Sequence, residues 1–265
     1  ELGWERPTPV QAKAIPAARE GRDVVGIAQT GTGKTAAFLL PALERQVHKE
    51  GLHTLILCPT RELAQQVAED ARALAKYTEL WVGEIYGGVP LGPQIRDLRA
   101  GFDVIVATPG RLIDHLERGN VDLSTVEVVV LDEADRMLDM GFRPQIEAIL
   151  AATPKEKQTL LFSATMPNGV HALALRILHD PVWIEVARPS TAAEKVEQRV
   201  YPVRPDQKTS LLLRLLEQDG MDQVLVFTRT KIGADALFSR LEAAGVNATV
   251  LHGEGTTIDG VEFYG

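Results

Sequence analysis

What the sequence lacks narrows the field before any motif is read. It has a single cysteine, Cys58, so no disulfide can form within the chain and a reducing compartment suits it. That cysteine sits inside the apolar run "TLILC" (54–58) and reads as plain core. No apolar stretch approaches the roughly 20 residues of a membrane span, and the opening "ELGWERPTPVQ" is no secretory leader. A membrane is therefore not an expected partner, and the expected location is the cytoplasm. The chain does not begin with methionine, and the expectation is an excised piece of a longer protein. Positive charge is in deficit, with 28 Lys and Arg against 36 Asp and Glu, a formal charge of −8 and a pI near 5.3. That balance argues against a surface built to bind polyanions everywhere. It leaves room for a local basic groove, because about five or six well-placed cations suffice for a phosphate grip. No internal repeat and no low-complexity tract is present.

What is there builds a core: 45% of the 265 residues are hydrophobic, enough for one large or two ordinary domains. Short β-rich runs recur at "DVVGI" (23–27), "TLILC" (54–58), "WVGEIY" (81–86), "DVIVA" (103–107), "VEVVVL" (126–131) and "QTLLFS" (158–163). They are continuous rather than alternating, as in strands buried on both faces of a parallel sheet. Helical spacing fills the gaps, for example in "TRELAQQVAEDARALAKY" (60–77). The alternation predicts an α/β fold, a doubly wound parallel sheet with ligands at the carboxyl ends of its strands. Residues 1–188 read as one domain, 189–197 as a linker, and 198–265 as part of a second α/β domain. In that second part "QVLVFT" (223–228), "KIGADALFSRLEAAG" (231–245) and "NATVLHG" (247–253) predict a β-α-β unit.

"GIAQTGTGKT" (26–35) follows the first strand and runs into a helical stretch, the context that a phosphate loop requires. Glycines turn successive backbone N–H groups inward, and the helix N-terminus adds its dipole. The candidate loop is Ala28, Gln29, Thr30, Gly31, Thr32, Gly33, Lys34 and Thr35. Lys34 would neutralise phosphate charge, and the Thr35 hydroxyl would ligate Mg²⁺. The general pattern has glycine where this chain has Ala28. "VVVLDEAD" (128–135) ends a hydrophobic strand in two carboxylates. Asp132 is the second candidate magnesium ligand, and Glu133 the group that orients and polarises an attacking water. An acidic cap opening the next helix is the plainer reading of the same residues. Together the two motifs predict hydrolysis of a nucleoside triphosphate.

"DEAD" (132–135) beside "AQTGTGKT" (28–35) is similar to the DEAD-box RNA helicases, and "VLVFTRTKIGADAL" (224–237) resembles their bacterial ribosome-assembly branch. The resemblance runs from residue 3 to about 253 and accounts for Ala28, which is this family's form of the loop. It implies a RecA-like, P-loop NTPase fold over 1–188, a partial RecA-like domain over 198–265, and ATP with Mg²⁺ as cofactors. In "GWERPTPVQ" (3–11) it implies that Gln11 reads the adenine edge and that Trp4 stacks on the base, although the family has Phe or Tyr at that position. Read alone, Trp4 is equally a core residue. Three loops then become candidates for gripping the backbone of single-stranded or short duplex RNA with little sequence specificity. They are Pro59, Thr60 and Arg61; Gly87 and Gly88; and Thr108, Pro109, Gly110 and Arg111. Each is also a turn with a helix cap. "SAT" (163–165) resembles the motif joining the nucleotide site to the RNA face, so Ser163 and Thr165 are expected to bond toward the carboxylates of 132–135. A ribosomal or ribonucleoprotein assembly context goes with the branch.

The resemblance fails at the end. The family's second domain carries an arginine finger, and here no Lys or Arg follows Arg240. The tail 254–265, "EGTTIDGVEFYG", matches nothing in the family and carries an Asp-Gly turn signal between β-formers. A short hairpin and a non-native or incomplete end are both expectations. The leading reading is the RNA-dependent ATPase core of a helicase. The alternatives are an ATP- and RNA-binding chain without productive unwinding, and a DNA translocase of the same superfamily, which Gln11 and the "DEAD" spelling disfavour.

Overall fold

The computed structural model describes residues 6–29, 31–46, 51–186, 197, 199–218, 220–221, 223–252, 256–258 and 261–263. By its internal contacts the chain divides into two compact units, Glu1–Ala192 and Ala193–Gly265.

The first unit alternates strand and helix as the apolar runs predict. Helix α1 (Pro9–Arg19) leads into β1 (Val24–Ile27), α2 (Lys34–Gln46), β2 (Thr54–Leu57), α3 (Arg61–Leu74) and β3 (Val82–Ile85). Helix α4 (Leu91–Ala100), β4 (Val104–Ala107), α5 (Pro109–Glu117) and β5 (Val128–Leu131) follow. Helices α6 (Ala134–Asp139) and α7 (Arg143–Ala152), β6 (Gln158–Ser163), α8 (Asn168–Ile177) and β7 (Val182–Glu185) complete the unit. The seven strands are all parallel, in the order β3-β4-β2-β5-β6-β1-β7.

Alternate residues of each strand face opposite sides, and each side has its own core. Val24, Ile56, Val106, Val130 and Phe162 meet α1, α2 and α3 on one face. Val25, Leu57, Ile105, Val129 and Leu161 meet α5 through α8 on the other. Continuous burial on both faces is why these strands lack polar alternation. Strand β7 was not legible in the sequence. It is an edge strand with Trp183 partly exposed, so its four residues carry a weaker apolar signal.

The second unit holds α9 (Lys208–Leu216), α10 (Lys231–Ala243) and an antiparallel pair, β8 (Thr256–Ile258) with β9 (Val261–Phe263). Thr230 caps α10 by accepting from Gly233 N at 3.0 Å. The pair β8–β9 flanks the Asp-Gly signal, as a hairpin requires. The strands expected at 223–228 and 247–253 are not formed: among the described residues neither segment joins a sheet. Leu225 and Phe227 there are 74% and 88% exposed. A parallel strand exists only through a neighbour that takes its backbone hydrogen bonds, and apolar composition does not supply one.

One glycine shows how tightly the first core closes. A Cβ on Gly26 in β1 would lie 2.5 Å from the Phe162 ring, which itself packs 5.4 Å from Phe38, centroid to centroid. Gly26→Ala is expected to destabilise the first unit by about 1–3 kcal/mol through overpacking. All three tryptophans precede residue 192, so urea unfolding followed by tryptophan fluorescence reads that unit alone. The midpoint should fall at unchanged slope; a wild-type midpoint would mean that Phe162 yields freely.

Candidate functional site

The strand order decides which motifs become neighbours. The phosphate loop leaves β1 and the carboxylate pair leaves β5, with β6 between them. The end of β6 bonds to both sides. Ala28 N donates to the Ser163 carbonyl at 3.0 Å, and Asp135 N donates to Ser163 Oγ at 3.2 Å.

Gly31 and Gly33 adopt left-handed φ of 79° and 88°, which a side chain would strain. Gly33 has a second reason to be glycine, since a Cβ there would lie 2.5 Å from Gln11 Nε2. Thr32 Oγ1 closes the turn by donating to the Gln29 carbonyl at 2.6 Å. Thr30 and Trp4 lie outside the described residues. Lys34 starts α2, is buried, and among the described residues its Nζ has no hydrogen-bond partner. A buried ammonium with nothing to donate to is costly, and an anion in the loop removes that cost.

Opposite it, Asp132 is buried, and its pKa is pushed up to about 6. Burial is the largest cause, opposed by Lys34 and reinforced by the Glu133 charge. A carboxylate so disfavoured fits a nearby cation, and together with the Thr35 hydroxyl it fits Mg²⁺. Among the described residues no cluster of three or more His, Cys, Asp or Glu could cage a metal, so the ion would rely on phosphate oxygens as well. Glu133 sits in the left-handed region, φ 51° and ψ 51°, at the cap of α6. That conformation costs a non-glycine residue about 1–2 kcal/mol and sets the side chain's direction. Its carboxylate contacts Arg136 NH1 at 3.4 Å, while Glu133 N donates to Asp132 Oδ1 at 2.9 Å.

The bonds expected from Ser163 and Thr165 fall on one acid of the four-residue motif. Thr165 N and Oγ1 both donate to Asp135 Oδ2, at 2.9 and 2.7 Å. Burial pushes the Asp135 carboxyl up, but the bonds from Thr165, Ser163 and the Arg136 backbone outweigh it and hold it low.

A cavity of about 400 Å³ opens over the loop, lined by Arg6, Thr8, Gln11, Lys34, Asp132 and Glu133 among others. Gln11 is already engaged, accepting from Thr8 N at 2.9 Å and donating to the Gly33 carbonyl at 3.1 Å. Among the described residues nothing else engages its second N–H, which an amide could offer to a base edge. Gln66 and Asp70 of α3 also line the cavity, and burial followed by the Glu69 charge pushes the Asp70 carboxyl up. Arg6, Gln66 and Asp70 went unread in the sequence. Arg6 lies only five residues before Gln11, and the other two sit in a helix legible only by its periodicity. A larger cavity of about 1070 Å³ lies in the second unit, between α9, α10 and the segment at 224–230. It has no phosphate loop and no carboxylate pair.

The three remaining loops follow β2, β3 and β4 on the same carboxyl edge. Thr60 caps α3, accepting from Leu63 N at 3.3 Å. The Arg61 guanidinium lies 5.1 Å from the Tyr86 ring centre. Gly88 takes φ 79°, and a Cβ on Gly87 would meet nothing within 4 Å, so this loop is open. Thr108 precedes α5 without a side-chain cap bond, and Pro109 occupies the first turn, where no N–H is needed. A Cβ on Gly110 would lie 4.0 Å from the Phe142 ring. Arg111 turns inward, with both terminal nitrogens 3.0 Å from the Val89 carbonyl. Cys58 is core, as read, and burial pushes its thiol up.

Residues 8–173 match the family model described as DEAD/DEAH box helicase. The chain is 44% identical over 254 residues to the DEAD-box ATP-dependent RNA helicase CshA of Bacillus cereus, covering 96% of this chain and 48% of that protein. It is 45% identical over 256 residues to the ATP-dependent RNA helicase DeaD of Mycobacterium tuberculosis, at 96% and 45% coverage. The chain thus spans about half the length of the curated relatives it matches. Among solved structures it is similar to a DEAD box protein from Methanococcus jannaschii, with a TM-score of 0.67, 39% identity, and 95% and 68% coverage of the two chains. With the phosphate loop and the Asp-Glu pair flanking one strand, and this match over most of the first unit, the chain belongs to the DEAD/DEAH box helicase family.

Proposed function

We propose that this chain is the ATPase core of an RNA helicase, hydrolysing ATP with Mg²⁺ while holding RNA on the same sheet edge. The observation that carries the proposal is the buried Lys34 Nζ, unpartnered among the described residues, in a cavity also lined by the buried Asp132 and by Gln11. In this reading residues 1–188 form a RecA-like domain, 189–197 a linker, and 198–265 part of a second. The curated relatives above are named as ATP-dependent RNA helicases, which supports the assignment. Nothing in the comparisons favours the alternative of a chain that binds without turning over.

The chemistry follows from the positions. Lys34 and the N–H groups of 31–35 take up the charge of the β- and γ-phosphates, where it grows during transfer. Asp132 and Thr35 would hold Mg²⁺, which supplies further neutralisation of the phosphate oxygens. Glu133 orients water toward the γ-phosphorus and draws off its proton. Gln11 joins base reading to loop shape, because the amide that faces adenine also bonds Gly33. Thr60, Arg61, Gly87, Gly88 and 108–111 offer hydroxyls, charge and backbone N–H groups to sugar and phosphate, which carry little base information. Ser163 and Thr165 link the two halves through Asp135. The aromatic role of Trp4 and the loop role of Thr30 rest on the family pattern alone. Among the described residues no helix is long and apolar enough to cross a membrane, which is compatible with a cytoplasmic, ribonucleoprotein-assembly setting.

ATPase assays with and without single-stranded RNA and DNA test the reading. RNA should stimulate hydrolysis and DNA should not; hydrolysis indifferent to RNA would overturn it. Glu133→Gln should keep ATP binding and lower turnover by about 10²–10⁴, since an amide takes no proton from water. Unchanged turnover in that variant would remove Glu133 from the mechanism. Gln11→Ala should reduce the preference for ATP over GTP several-fold, about the worth of one neutral hydrogen bond. Equal ATP and GTP affinities in the wild type would refute the adenine-reading role outright.

A further inference from the structure

Gln94 belongs to no motif read in the sequence, yet its side chain is buried and all its bonds go to the open loop after β3 and to α5. Its Nε2 donates to the Tyr86 carbonyl at 3.0 Å. Its Oε1 accepts from Arg111 NH1 at 3.2 Å and lies 3.0 Å from His115 Nε2. Arg111 and His115 are four residues apart on α5 and therefore share one helix face. Arg111 in turn grips the Val89 carbonyl with both terminal nitrogens at 3.0 Å. Gly87 and Gly88 thus lie between two carbonyls, Tyr86 and Val89, that one network holds.

The Arg111 guanidinium orders the donor and acceptor roles. A guanidinium only donates, so the Gln94 oxygen must face Arg111, and the amide nitrogen then faces Tyr86. The same oxygen faces His115 Nε2, so that nitrogen must carry a proton. His115 Nδ1 is left with its lone pair toward Asn120 Nδ2, at 3.3 Å. Both nitrogens of the ring are partnered. Its pKa is lowered, first by burial and then by the Arg111 charge, with Asp114 opposing and Arg118 adding to the effect.

We propose that Gln94, backed by His115, is a positioning residue for RNA binding, holding the open Gly87–Gly88 backbone in its gripping shape by tying both of its ends to α5. The inference rests on the RNA-face reading above. Arg111 has an 11% exposed side chain and is turned inward, so in this arrangement its first task is to anchor the loop rather than to meet a phosphate. Preorganised N–H groups bind more tightly because no ordering cost is left at binding.

The test uses the 265-residue chain and a fluorescein-labelled oligouridine. Gln94→Met keeps volume and removes every bond; Gln94→Glu keeps the acceptor for Arg111 and His115. Gln94→Met should weaken RNA binding about five- to tenfold, the worth of one or two neutral hydrogen bonds. Affinity for a fluorescent ATP analogue should stay within about twofold, because the nucleotide cavity shares no residue with this network. Gln94→Glu, which loses the donor to the Tyr86 carbonyl, should recover only part of the RNA affinity. Hydrogen exchange in Gln94→Met should quicken at 86–90 and 108–111 and nowhere else. Wild-type RNA affinity in Gln94→Met overturns the proposal, as does equal loss of ATP and RNA binding without rescue, which marks general loosening. Should Gln94→Met not fold, nitrogen NMR of the wild type decides: a neutral His115 protonated at Nε2 supports the network, and protonation at Nδ1 refutes it. Arg61→Ala, in a different loop of the same face, separates the two readings. If it and Gln94→Met both leave RNA binding intact, the RNA face itself is wrong. If Arg61→Ala weakens RNA while Gln94→Met does not, only the positioning role falls.

Discussion

Ser163 is the joint on which the nucleotide site depends. It is fully buried at the end of β6, the strand between the phosphate-loop strand and the carboxylate strand. Its carbonyl takes the N–H of Ala28, and its hydroxyl takes the N–H of Asp135. Loss of the first bond would leave the buried Ala28 N–H unsatisfied, at a cost of about 1–3 kcal/mol. The two motifs come from segments about a hundred residues apart, and Ser163 bonds to both of them where the β1–β6 and β5–β6 ladders end. Sheet hydrogen bonding, rather than the loops' own conformation, fixes the geometry between Lys34 and Asp132.

The same ladder continues sideways beyond the nucleotide half. Asp132 N donates to the Leu57 carbonyl, Cys58 N to that of Ala107, and Thr108 N to that of Ile85, each at 2.9 Å. These bonds form the last rung at the carboxyl edge. They run from the carboxylate pair to the loops at 59–61, 108–111 and 86–88. Strands β5, β6 and β1 carry the nucleotide motifs, while β3, β4 and β2 carry the loops proposed for RNA. Groups at opposite ends of this edge share a base whose rungs are backbone bonds.

Much of this was legible because parallel strands advertise themselves. Runs such as "VVVL" at 128–131 have no polar residue to confuse the reading, and the glycines and acids that follow them mark the sheet edge. Where burial is one-sided or absent, the signal misled. Strand β7 was missed because an edge strand needs few apolar residues. Residues 223–228 were read as a strand because apolar content says nothing about whether a partner strand adopts the matching register. The inward turn of Arg111 and the role of Gln94 were illegible for another reason. Both depend on α4 and α5 meeting, and no spacing within either helix encodes that contact. The left-handed backbone of Glu133 is likewise invisible in the letters, because nothing about glutamate favours it.

The two halves of the edge are energetically unlike, and the contrast bears on how each meets its ligand. The nucleotide half carries unresolved terms: an ammonium without an acceptor, a carboxylate pushed up to about 6, and a glutamate in strained backbone. Each of these is relieved by a polyanion with a cation, so binding there releases cost already present in the fold. In the other half Gln94 uses both ends of its amide, Arg111 shares its donors between Val89 and Gln94, and the His115 ring has a partner on each nitrogen. A backbone ligand finds that surface already built and has little strain to relieve. In the proposed reading, ATP and its ion are the ligands with leverage over the first unit, while RNA would gain its hold from preformed geometry. A ligand can shift an equilibrium only by its differential affinity for two states, so in that reading relief of the strained half is what would give the nucleotide such a difference.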